Sequence, residues 1–93
     1  MIDTTAQIEL NPVVIYRDLS EGAVLLHADS GQYHGLNPVS VVIWQYLEQN
    51  GTAEFGAVVA AVERSVIDPP PEVASDVSDF IEDLAARDLV FIT

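Results

Sequence analysis

The order of elements in this chain predicts an α+β fold of winged helix-turn-helix type, with a three-stranded antiparallel sheet followed by three helices. Two observations carry that expectation. The front of the chain consists of β-branched and aromatic runs separated by turn residues, as strands require. The back consists of apolar residues recurring at a period near 3.6, punctuated by Gly51 and by Pro69, Pro70 and Pro71. The 93 residues suffice for one domain and no more.

Residues 1–12 show no sustained period and close on Asn11-Pro12, which predicts a mobile N-terminal arm ahead of a domain spanning 13–93. Val13-Val14-Ile15-Tyr16-Arg17 predicts the first strand, ended by the polar break from Asp18 to Gly22. Ala23-Val24-Leu25-Leu26-His27-Ala28 is apolar almost throughout, as in a central strand covered on both faces. Asp29-Ser30-Gly31 then supplies a hairpin turn, with Gly31 free to adopt a positive φ. Gln32-Tyr33-His34-Gly35-Leu36 returns as the third strand, at the open edge of a simple meander.

Asn37 is a good N-cap and Pro38 fits the first helical position, so a helix is expected to start there. Val39, Val42, Ile43, Tyr46 and Leu47 give it one apolar stripe, and Gly51 ends it. Thr52 is the expected cap of a second helix built on Phe55, Val58, Val59 and Val62, ending near Val66. After the stiff Asp68-Pro69-Pro70-Pro71 connector, Val73, Val77, Phe80, Ile81 and Leu84 form the apolar stripe of a third helix. Beside it runs an acidic stripe of Glu72, Asp76, Asp79 and Asp83. Leu89-Val90-Phe91-Ile92 closes the chain as a short strand or an extended tail.

Composition narrows the function. Fifteen acidic against three basic residues give a net charge of −12, which repels phosphate backbones and anionic membranes alike. A DNA reader of this architecture would carry Arg and Lys on its third helix, where this chain carries acids. Without cysteine there is no disulfide, thiolate metal site or thiol nucleophile. No signal-like start and no run of about 20 apolar residues is present, so a cytoplasmic protein acting neither on membranes nor on nucleic acid is expected. With two histidines and few cations to hold a reacting anion, no enzyme, cofactor or metal is expected either.

The stretch from Val24 to Pro38, with Gly31, Tyr33 and Leu36-Asn37, followed by Ile43-Trp44 and Leu47, resembles the PqqD-like family, also called the RiPP recognition element. The resemblance runs from about Val13 to Ile92, nearly the whole chain. It implies a non-catalytic protein that binds the leader segment of ribosomally made, post-translationally modified peptides. In that family the leader adds as a further strand to the sheet edge and lies in a groove between the third strand and the third helix. Carried onto this sequence, the binding residues would be Gln32, Tyr33, His34, Gly35 and Leu36 on the strand side. On the helix side they would be Val73, Asp76, Val77, Phe80, Ile81 and Leu84. A free-standing acidic chain of this size looks most like the leader-binding proteins of lasso peptide clusters. Its partners would then be the precursor leader, a transglutaminase-like cysteine protease acting as leader peptidase, and a cyclase. A PqqD-type chaperone serving a radical SAM enzyme, and a winged-helix transcription regulator, remain the alternatives.

Bland readings stand beside these. Trp44 reads as a core anchor rather than a ligand contact. Tyr33 either stacks on an added strand or covers the hairpin, and His34 reads as a solvated edge histidine. His27, His34 and Asp29 match no metal-ligand spacing. Part of the third-helix stripe must face the sheet permanently.

Overall fold

A computed structural model describes all 93 residues. It contains β1 (Gln7–Leu10), β2 (Val14–Leu19), β3 (Gly22–His27), β4 (Tyr33–Leu36), α1 (Pro38–Asn50), β5 (Thr52–Glu54), α2 (Phe55–Ser65), α3 (Val73–Ala86) and β6 (Val90–Ile92). The fold is α+β, with antiparallel strands and three helices, but the strands form two sheets rather than one. The meander β2-β3-β4 is the expected sheet; the second has the order β5-β1-β6.

That second sheet corrects the expectation for residues 1–12. They are not an arm outside the domain: β1 pairs with both β5 and β6, Ile8 is fully buried, and Ile2 is buried with its N–H donating to Ser78 Oγ at 2.9 Å. Its strand period was hidden because only alternate residues of a four-residue segment face the core. The same segment corrects the start of α2. Thr52 lies in β5 and does not cap; the N–H groups of Phe55 and Gly56 donate instead to the carbonyls of Ala6 and Thr4. Orphan donors at a helix start need an acceptor, and here a distant backbone supplies it.

The other elements follow local chemistry. Asn37 Oδ1 accepts from the Ser40 N–H at 2.9 Å, and Gly51, at φ 75°, closes α1 by donating to the Leu47 carbonyl. Trp44 is 1% exposed and forms the core with Leu25, Leu47, Phe55, Ile81 and Leu89. β3 is covered on one face only: Ala23, Leu25 and His27 are buried, whereas Val24 and Leu26 are half-buried on the outer face. A partly buried polar cluster joins the two sheets. His27 Nδ1 accepts from the Ser30 N–H, which places the ring proton on Nε2, 3.2 Å from the Asp88 carboxylate. Asn11 Nδ2 donates to the Asp88 carbonyl at 2.8 Å.

Gly22 fixes how β3 meets β4. It adopts φ +145°, and a Cβ there would lie 2.1 Å from the Leu36 carbonyl oxygen. Gly22→Ala is therefore expected to destabilise the protein by about 2 kcal/mol or more, lowering the thermal midpoint by roughly 10 °C in a melt followed by circular dichroism. A midpoint within 2 °C or so of the parent would show that β4 can give way without cost.

Candidate functional site

β4 is an edge strand, paired with β3 on one side and with nothing on the other. The hairpin turn sets its hydrogen-bond phase. His27 N–H donates to the Gln32 carbonyl, so that pair is bonded, and alternation makes Leu25–His34 and Ala23–Leu36 the next bonded pairs. The N–H and C=O groups of Tyr33 and Gly35 therefore point away from the sheet, unpaired. Side chains alternate in the opposite sense: His34 and Leu36 share the core face with Leu25 and Ala23, while Tyr33 and Gly35 lie on the outer face.

α3 faces this edge. Val73, Val77, Ile81 and Leu84 are at most 6% exposed and anchor the helix in the core, which leaves half-buried Phe80 as its apolar contribution to the surface. Between the two elements lies a groove of about 300 Å³, lined by Tyr33, His34, Gly35 and Leu36 from β4, by Phe80, Asp83 and Leu84 from α3, and by Arg87 at the C-cap of that helix. A second, more apolar cavity of about 350 Å³ adjoins it, walled by the start of α1 (Asn37, Val39, Ser40, Ile43), the end of α2 (Val62, Val66), Pro70, and Val73, Asp76, Val77 and Phe80. Phe80 lines both.

The structure thus sorts the sequence-predicted residues. Tyr33, His34, Gly35, Leu36, Phe80 and Leu84 come together in the β4–α3 groove. Val73, Asp76 and Val77 line the neighbouring cavity, Gln32 lies just ahead of β4 with its carbonyl bonded to the His27 N–H, and Ile81, 0% exposed, lines neither. Asp83 and Arg87 were missed as groove residues. Their signal was present in the spacing, since 80, 83, 84 and 87 recur along one helical face.

Arg87 is the groove's cation. Its Nε donates to Asp83 Oδ2 at 3.1 Å and its Nη1 donates to His34 Nδ1 at 3.3 Å. A guanidinium cannot accept, so a neutral His34 carries its proton on Nε2, and that atom is buried without a partner. No three His, Asp or Glu side chains converge as a metal site would require. No helix is long and apolar enough to cross a membrane.

The model of the family described as coenzyme PQQ synthesis protein D (PqqD) matches residues 22–90. The chain belongs to the PqqD family. The match begins at Gly22 and ends in β6, so it takes in both walls of the groove and leaves β1 and β2 outside. Among solved structures, this PqqD-family chain is similar to TbiB1 in complex with the TbiA(beta) leader peptide. The two are 29% identical with a TM-score of 0.77, over 88% of this chain and 93% of that one. No curated protein matches.

Proposed function

We propose that this PqqD-family protein captures the leader segment of a ribosomally made precursor peptide of lasso type, by strand addition to β4, and presents it to maturation enzymes. The observation that carries the reading is the unpaired outer edge of β4 beside the Phe80 groove, in a chain similar over nine-tenths of its length to a protein solved with a leader peptide. Backbone groups of an edge strand hold an extended peptide of any sequence, and the flanking pockets select its side chains. The protein would act without catalysis, in the cytoplasm, handing the leader to a transglutaminase-like cysteine peptidase and the modified core to a cyclase. We read the order of its strands and helices as a winged helix-turn-helix arrangement that serves peptide rather than DNA. Asp76, Asp79, Glu82 and Asp83 are all exposed on the helix that a DNA reader would place against phosphates.

The family match itself favours a second reading, a PqqD-type chaperone working with a radical SAM enzyme. Titrating labelled leaders of both precursor classes by fluorescence anisotropy separates the two, and saturable binding by neither sinks both. Within that assay, Phe80→Ala is expected to weaken leader binding about tenfold, because the ring walls both cavities. Half-buried Phe80 leaves enough of the core intact for the variant to fold, which a parallel melt checks. Unchanged affinity would move the site away from α3. Ile81→Asp is no substitute for this test: a carboxylate at a 0% exposed position unfolds the domain before it reports on binding.

A further inference from the structure

The chain has three cations, Arg17, Arg64 and Arg87. Arg17 lies on the outer face of β2, opposite Val24, and Arg64 lies in the last turn of α2. Arg87 alone lines the groove beside β4. Elsewhere along α3 an approaching carboxylate meets exposed Asp76, Asp79 or Glu82, and in the groove itself exposed Asp83, whose charge Arg87 offsets. An acidic side chain on a bound peptide therefore has one favourable position along this helix.

Arg87 is also held in place. Its two protein contacts, to Asp83 Oδ2 and His34 Nδ1, occupy two of the five guanidinium donors and restrain the fork from both sides. Its side chain remains 48% exposed, so the other donors can be reached from the groove. His34 bears a cost in this arrangement: accepting from Arg87 leaves its Nε2–H buried with no acceptor. A buried unpaired donor is unfavourable. Its evident return is the aim of the arginine, which makes His34 a positioning residue.

We infer that Arg87, aimed by Asp83 and His34, receives one Asp or Glu side chain of the leader and thereby sets the register in which the leader adds to β4. The assignment rests on the leader-binding reading and deepens it. Strand addition by backbone bonds alone does not fix register, because a slip of two residues restores the same ladder. A charge-assisted, bidentate contact at one end of the groove does.

The test uses the full chain and synthetic leaders of a precursor that binds it. Every Asp and Glu of the leader is replaced by Asn or Gln, and a single Glu is then moved one position at a time. One position is expected to bind about five- to tenfold more tightly than the neutral peptide, and the others equally or more weakly. In Arg87→Gln that preference is expected to disappear, every Glu peptide binding no more tightly to the variant than the neutral peptide does. In His34→Ala it is expected to shrink, and His34→Gln, whose amide oxygen can accept from Arg87, is expected to restore it. A flat profile across all positions, or a preference that survives Arg87→Gln, overturns the assignment and leaves leader binding intact. Failure of the native leader to bind overturns the underlying reading instead.

Discussion

Gly35→Pro is expected to weaken leader binding by at least about tenfold while the protein keeps its fold. The bonded phase of the β3–β4 ladder places the Gly35 N–H on the free side, so proline removes no bond that holds β4 to β3. Proline is tolerated on an edge strand when its missing donor faces outward, and the preceding His34 is already extended, as a residue before proline prefers. A Cβ at Gly35 meets nothing within 4 Å, so a side chain can start there in the unbound protein. An added strand loses one donor there and meets the ring where it should lie flat. Lost bonding and lost fit each contribute about 1 kcal/mol, which together exceed a tenfold change. Gly35→Ala, which keeps the N–H, is the control and is expected to bind nearly as the parent does. Equal affinity for Gly35→Pro and the parent, measured by anisotropy or calorimetry on protein with a native melt, would mean that the leader does not use this edge.

The second large effect concerns stability. Deleting residues 1–12 removes Ile2 and fully buried Ile8, the strand that β5 and β6 both pair with, and the carbonyls that receive the first N–H groups of α2. Truncating one buried isoleucine to alanine typically costs about 2–5 kcal/mol, against a total stability of about 5–15 kcal/mol for a small domain. Losing the whole segment is expected to leave a chain with no cooperative thermal transition and collapsed amide dispersion in its NMR spectrum. A truncated protein that still melts cooperatively near the parental midpoint would show that β1 is an accessory after all.

Much of the peptide-facing half of the molecule was legible in the sequence, because its determinants are local. The Asn37-Pro38 start of α1, its Gly51 stop, the Gly31 hairpin and the α3 stripe each depend on residues within a few positions of one another. Of the second sheet only the Leu89–Ile92 run was legible, as a short strand or tail; β5 has three residues, and the pairing of β5 and β6 with β1 spans some 45 and 80 residues of sequence. The covering of β3 was overestimated for a related reason. Val24 and Leu26 are apolar, but their face of the sheet carries no helix and is shared with exposed Ile15 and Tyr33. In the groove, the apolar stripe identified α3 as a wall without showing that Val73, Val77, Ile81 and Leu84 are buried in the core. Arg87 was not legible as a groove residue, since its partner His34 lies 53 positions away.

Phe80 is a party wall between two rooms. Any change in the size of that one ring alters the lining of the chamber among α1, α2 and α3 and of the slot beside β4 together.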